Sequence, residues 1–310
     1  MMGLTQVKGN TWVVEAMGLI PFYKLDERHV ILLDTGLKSE GEALEQTLLK
    51  NDLEPVGILC SHAHVDHCGN NRYFQEKYHI PVALTAGEAG MCRSVTTLKC
   101  YFLNLSPQTV EREAGVMIHT PDVLIPETEG SFHFAGADFR IIPTPGHSPG
   151  HISTVTPDNV CYTGDAMLSR EFMGSKLPYN LNHAEANQSR ERLRPLKCDK
   201  YIIAHRDICS REEFLPLIDD NLALIQQRAG DLRDDHPAHG HVRDHPRRVR
   251  PLSALHQKAH PGPAVRAEHP PVSGVSAGRG AAGRDVQPGH QPVLPALTSQ
   301  KQPRERNFPG

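Results

Sequence analysis

Val56-Gly57-Ile58-Leu59-Cys60-Ser61-His62-Ala63-His64-Val65-Asp66-His67 is the stretch that decides how this chain is read. Val56–Cys60 is a short apolar run, which predicts a buried strand. Three histidines and one aspartate then fall within six residues. Neutral imidazole and carboxylate are the usual ligands of zinc and of non-haem iron. In extended backbone, residues two apart point the same way, so His62 and His64 can grip one metal ion. Asp66 and His67 fall on the turn into the next helix and can face a second ion. The plain alternative is a solvated polar loop, which gives four such side chains at one strand end little to gain.

Outward from this stretch, residues 1–230 alternate strand-like and helix-like segments. Thr11–Leu19 and His29–Asp34 read as antiparallel strands, with Lys24–Arg28 as the polar turn between them. Ser39–Leu53 places Leu44, Leu48 and Leu49 at helical spacing, with Pro55 beyond its end. Asn70–Tyr78 reads as a helix, Pro81–Thr85 as a strand, and Gly87–Glu127 as partly helical. Phe139–Pro143, Ile152–Thr156, Val160–Thr163 and Tyr201–Ala204 read as strands. Ala184–Leu196 reads as a helix, as does Arg211–Arg228, with Phe214, Leu217, Ile218, Leu222 and Ile225 on one face. Two successive runs of strands and helices predict an α/β fold. The expected form is a four-layer αβ/βα sandwich, two mixed sheets face to face with helices outside.

His-x-His-x-Asp-His after a strand resembles the signature of the metallo-β-lactamase-fold superfamily, in its glyoxalase II-like branch. That pattern calls for three further ligands downstream. His147 in Thr144-Pro145-Gly146-His147, Asp165 in Gly164-Asp165 and His205 after Tyr201–Ala204 match it in order, each following an expected strand. The resemblance covers roughly residues 5–225. It implies a first metal held by His62, His64 and His147, and a second held by Asp66, His67 and His205, with Asp165 bridging both. The implied cofactors are two divalent metal ions, zinc first, with iron or manganese compatible with the same ligands. Asp34-Thr35-Gly36 is also family-like and reads as structural. One departure is Arg206, where the family usually has glycine; it reads as a solvated side chain or as a group at the site mouth.

Two metal ions about 3.5–4 Å apart can share a bridging water and lower its pKa toward neutrality, giving a hydroxide nucleophile. Asp66 is the candidate catalytic residue, orienting that hydroxide or shuttling a proton as well as ligating. The expected activity is metal-dependent hydrolysis of a small-molecule substrate, and the resemblance points to a thioester, ester or lactone. The alternative is an iron-dependent sulfur or persulfide dioxygenase, or another redox enzyme on the same fold. A flavodiiron arrangement would need a flavodoxin domain, for which residues 231–310 have no pattern. A non-catalytic binding protein on this fold would be expected to have lost ligands, and all seven positions are filled.

Charge and composition narrow the partners. Lys+Arg is 33 and Asp+Glu 36, a net charge of −3. Residues 231–310 carry +5 and residues 1–230 carry −8, so nucleic acid is not an expected partner. Arg190, Arg192, Arg194 and Lys197 read as a solvated basic face. The absence of a long apolar run predicts no membrane helix. Met1–Thr11 lacks an export-signal pattern, and seven cysteines at irregular spacing read as reduced thiols, so a cytoplasmic location is expected. Oligomeric state is left open, a homodimer included.

The composition breaks near Gly230. Residues 231–310 hold 8 of the 19 histidines and 12 of the 25 prolines, one aromatic (Phe308), and no Ile, Tyr, Trp, Met or Cys. Residues 1–230 are thus expected to form the catalytic domain. Residues 231–310 form a Pro/His/Arg/Gly-rich tail, either disordered or read out of frame, with the abrupt switch favouring the second. Of the remaining candidates, His151 either orients a ligand or pins its loop. Tyr179 and His183 lie where they can border the site. Phe172 and Met173 can wall a pocket or fill core. Cys68 reads as a small buried side chain, and His29, His79, His119 and His133 have no ligand-like company.

Overall fold

In the computed structural model, which describes residues 2–174 and 179–234, alternate residues of one strand serve two different cores. Val30 and Leu32 pack toward helices, whereas Ile31 and Leu33 pack toward a second sheet. That two-residue period is what a strand sandwiched on both faces requires.

The first sheet has seven strands in sequential order: β1 (Gly3–Lys8), β2 (Thr11–Glu15), β3 (Leu19–Lys24), β4 (His29–Leu32), β5 (Glu54–Leu59), β6 (Val82–Thr85) and β7 (Val123–Ile125). β1 to β4 form an antiparallel meander, and β4 to β7 pair in parallel. Parallel neighbours need crossovers. These are α1 (Gly41–Lys50), α2 (Asn71–Tyr78), and the run α3 (Ala86–Met91), α4 (Val95–Tyr101) and α5 (Pro107–Ala114).

The second sheet has six strands: β8 (Gly130–Phe134), β9 (Ala137–Pro143), β10 (Ile152–Val155), β11 (Val160–Tyr162), β12 (Lys200–Ile203) and β13 (Asp207–Cys209). β11 and β12 pair in parallel, joined through α6 (Arg170–Met173) and α7 (His183–Leu193). α8 (Arg211–Asp234) follows. Three apolar cores separate four layers. One lies between the first sheet and its helices, one between the sheets, and one between the second sheet and α7 and α8. The expected four-layer sandwich of two mixed sheets is the fold observed.

Several boundaries differ from expectation. The run Thr11–Leu19 breaks at Ala16–Gly18, where Gly18 sits so close to the Ala204 carbonyl that a Cβ would come within 2.8 Å of it. The sequence after the break forms β3, which moves the polar turn to Leu25–Arg28. The edge and near-edge strands β1, β7, β8 and β13 were not expected; they are short or half-exposed, so their apolar patterns are weak.

The basic cluster is solvated at Arg192 and Lys197, as expected, but not at Arg190. Arg190 is 1 % exposed, donating to the Ala166 carbonyl and to Asn187. Arg192 donates to the Pro143 carbonyl, and Arg194 pairs with Glu191 and Asp219. α8 runs to Asp234, past the compositional break, and its Phe214, Leu217 and Ile218 are fully buried. The rest of the expected tail lies outside the described residues. Among the described residues, no helix is long and apolar enough to cross a membrane.

Candidate metal centre

The seven candidate ligands come from four loops, and the fold brings all of them together. His62, His64, Asp66 and His67 follow β5 at the C-terminal edge of the first sheet. His147 lies in the β9–β10 loop, Asp165 in the 3₁₀ turn Gly164–Ala166 after β11, and His205 just beyond β12. Strand C-terminal edges are where α/β sheets usually place their ligands.

Two groups form. In the first, His64 Nδ1 lies 3.0 Å from His62 Nε2 and 2.8 Å from His147 Nε2. In the second, His67 Nε2 and His205 Nε2 lie 3.9 and 3.7 Å from Asp66 Oδ2. Asp165 stands between the groups. Its Oδ2 is 3.3 Å from His147 Nε2, and its Oδ1 is 3.3 Å from His67 Nε2 and 3.2 Å from His205 Nε2.

These donors fit metal ions. Ser61 Oγ–H donates to Asp34 at 2.6 Å, so the Ser61 oxygen accepts the Nδ1–H of His62 at 3.0 Å, leaving Nε2 as a bare lone pair. His147 Nδ1–H donates to the Tyr179 carbonyl at 3.1 Å, and His67 Nδ1–H donates to Asp34 at 2.8 Å, with the same result. Tyr101 Oη can accept the Nε2–H of His64 at 2.6 Å, which frees Nδ1. A metal-ligating histidine is regularly fixed in this way by a partner on its other nitrogen. The His64 lone pair lies about 3 Å from each of the other two, and all three lie within 4.8 Å of one another, close to the roughly 3.3 Å spacing of tetrahedral ligands at ~2.0–2.1 Å from zinc. In the second group, buried His67 Nε2 and Asp165 Oδ1 face each other without a hydrogen bond, the sort of orphaned pair that a cation satisfies.

The electrostatics agree. Burial pushes His64 and His147 down to about 3, against the pull of Asp165, and holds His62 well below the ordinary histidine value with help from neighbouring histidines. All three are neutral at pH 7, the state that ligates. Burial also depresses His67 and His205, but carboxylates outweigh it. Asp165 and Asp66 hold both above the ordinary histidine value, and the Asp34 bond adds to this at His67. Burial raises Asp165, yet the charges of His205, His67 and His147 hold it well below the usual carboxylate range.

Three residues outside the candidate set hold the site in place. Asp34, with φ of 77°, accepts from Ser61 N–H and Oγ–H, from His67 and from the Tyr162 hydroxyl. His151 accepts the Asp165 backbone N–H at Nε2 and donates to Thr144 through Nδ1, so it pins both its own loop and the Asp165 turn. Glu88, fully buried in α3, accepts from Ala63 N–H, Gly150 N–H and Ser148 Oγ–H. It thus clamps the loops that carry His62, His64 and His147. Glu88 and Tyr101 lie in the segment 87–127, whose sequence has no periodic signal that could have singled them out.

Tyr179 borders the site as anticipated, through its carbonyl and through its hydroxyl, which donates to Tyr101. His183 starts α7 and lies beside Asn180. Phe172, 37 % exposed, lies against the His205 ring with centroids 4.6 Å apart, so it borders the site and does not fill core. Arg206 is exposed, donates to the Met17 carbonyl and adopts φ of 75°, the region that favours glycine at this position. A cavity lined by Met17, Leu19, Leu37, Asp66, His67 and His205 opens on the second group. His119 does not lack company: it is buried beside Cys68 and Cys92.

The sequence profile of the Metallo-beta-lactamase superfamily matches residues 4–205. The chain belongs to the metallo-beta-lactamase superfamily. Among curated superfamily proteins, the chain is 28 % identical over 148 residues to a probable metallo-hydrolase, YqgX, of Bacillus subtilis, covering 47 % of this chain. The chain spans 65 % of the length of that relative. It is 28 % identical over 182 residues to the hydroxyacylglutathione hydrolase GloC of Haemophilus influenzae, covering 58 % of this chain and 80 % of that one. Among solved superfamily structures, a metallo-beta-lactamase family protein of Thermus thermophilus superposes with a TM-score of 0.56 at 21 % identity, over 71 % of this chain and 78 % of that one. This likeness is one of fold.

Proposed function

We propose that residues 1–230 form a metal-dependent hydrolase domain that cleaves a small thioester, ester or lactone at a two-metal site. The observation that carries this reading is the position of Asp165, with one carboxylate oxygen toward His147 and the other toward His67. His62, His64 and His147 would hold one divalent ion, Asp66, His67 and His205 the second, and Asp165 both; zinc suits the nitrogen and carboxylate donors. Bound there, the ions would supply Lewis acidity and a water of lowered pKa.

The chain's own residues do the rest. Asp66 is 30 % exposed at its side chain and lines the open cavity, so its carboxylate can take and return a proton there. Met17, Leu19 and Leu37 give that cavity an apolar wall suited to an acyl or ring carbon, not to a polyanion. Tyr101 and Tyr179 fix the first group's imidazoles. A relative named hydroxyacylglutathione hydrolase supports an acyl substrate. The redox alternative has less support, because a single-iron centre would leave the assembled Asp66, His67 and His205 without work.

The test is elemental analysis of purified protein paired with a panel of thioesters, esters and lactones. Turnover is expected to vanish on chelation, return with zinc and be lost in Asp165→Asn. Fully metal-loaded protein that turns over nothing in the panel, or full activity in Asp165→Asn, would overturn the reading. Bound iron with oxygen consumption would replace it with the redox one.

A further inference from the structure

Cys68, Cys92 and His119 meet inside the first core, Cys68 from the end of the loop that carries His62 to His67 and the other two from the 87–127 segment. Cys68 follows His67, Cys92 ends α3, and His119 follows the 3₁₀ turn Gly115–Met117. One ligand atom from each lies within 4.8 Å of the other two. The two cysteines are 0 % exposed and His119 is 6 % exposed. His119 Nδ1–H donates to the Met117 carbonyl at 2.8 Å, which leaves the Nε2 lone pair as the group's nitrogen donor. The His119 backbone N–H donates to the Cys92 carbonyl at 3.2 Å, tying the two segments together. The Asn71 carboxamide N–H donates to that lone pair at 3.3 Å, a long bond that the ion would replace.

A histidine oriented by a carbonyl beside two thiols is a soft donor set. Two thiolates, a neutral imidazole and a dication sum to zero charge, which suits a site shut away from water. We propose that Cys68, Cys92 and His119 bind a zinc ion of their own, separate from the nitrogen and carboxylate centre and independent of what that centre hydrolyses. On binding, each thiol loses its proton to solvent and each sulfur forms a bond to the ion, so two protons are released per zinc. The ion would fasten α3 and the 92–119 segment, which carry Glu88 and Tyr101, to the residue that follows His67.

Cobalt(II) loading of the metal-free, reduced full chain tests this. The seven candidate ligands offer no sulfur, so a thiolate-to-cobalt charge-transfer band in the near ultraviolet cannot come from that centre, and cysteine variants assign it. With cobalt in excess the band is expected to reach the amplitude of one thiolate-bound ion per chain, to vanish in Cys92→Ser, and to persist in Cys100→Ser, Cys198→Ser and Asp165→Asn. Should Cys92→Ser fail to fold, zinc-edge X-ray absorption of the wild-type protein decides, with zinc–sulfur scattering expected. A wild-type spectrum with no charge-transfer band overturns the proposal. So does a band that survives Cys92→Ser, or a Cys68–Cys92 disulfide found by mass in protein purified without reductant.

Discussion

Glu88 accepts the backbone N–H of Ala63 at 2.8 Å, and Ala63 lies between His62 and His64. The same carboxylate takes Gly150 N–H and Ser148 Oγ–H, on the far side of His147. Burial lifts its pKa to about 7 against those three bonds. Glutamine in its place would turn an NH₂ toward donors, leaving at least one buried N–H unpaired, at a cost of about 1–3 kcal/mol. Glu88→Gln is expected to lower the denaturant midpoint and to loosen the metal of the first group, read by competition with a chromogenic chelator. Wild-type affinity in the variant would show that the two loops hold themselves.

Asp34 acts on the second group in the same manner, through the Nδ1–H of His67. Asp34→Asn keeps the size but can no longer accept on every face. A partner of this kind typically contributes 10–100-fold, so metal affinity is expected to fall by about that factor. Isothermal titration of metal into the metal-free variant measures it.

Gly146 has φ of 122°, and a Cβ there would meet the Ala186 backbone nitrogen at 2.2 Å. Both the strained conformation and the clash oppose alanine. Gly146→Ala is expected to destabilise the fold by about 3 kcal/mol or more and to displace His147. Thermal unfolding with and without added zinc would show a smaller metal-induced shift than in wild type.

His151 is held neutral by burial, down to about 3, like His64 and His147. An unfolded histidine titrates near 6.5. Above that value both states are neutral and the contribution is fully present. As pH falls from about 6.5 toward 3 the unfolded chain takes up protons that these folded sites refuse, and stability is lost. In the metal-loaded protein the ligating histidines stay unprotonated too, which adds in the same direction. Urea midpoints of the metal-loaded protein at pH 7.5 and 5.0 are expected to be lower at the acid value, whereas in metal-free protein His67 and His205, held above the ordinary value, oppose the trend; an unchanged midpoint in the loaded protein would contradict the buried neutral histidines.

The local spacing of His62, His64, Asp66 and His67 made that part of the site legible, because four ligands on one strand end need no tertiary information. His147, Asp165 and His205 were found only through a resemblance, since each stands alone in its own loop. Glu88, Tyr101 and the partnership of Cys68, Cys92 and His119 escaped. They depend on how the 87–127 segment folds back over α2, and that segment has no sustained period. The sandwich itself was legible in the two successive runs of strands and helices, and the unbroken apolar run Val30–Leu33 belongs to a strand whose neighbouring residues serve opposite cores. The short strands β7, β8 and β13 were not, because edges bury too little to impose a pattern.

Each metal group draws ligands from both sheets: His62 and His64 with His147, and Asp66 and His67 with His205. The two ions would therefore act as staples across the seam where the halves of the chain meet, joining positions 64 and 147 and positions 67 and 205. A chain awaiting its metals would keep the apolar core between its halves but lack these two fastenings at the site. Metal supply would then govern how long a newly made molecule stays open to proteases, as well as whether it turns over substrate.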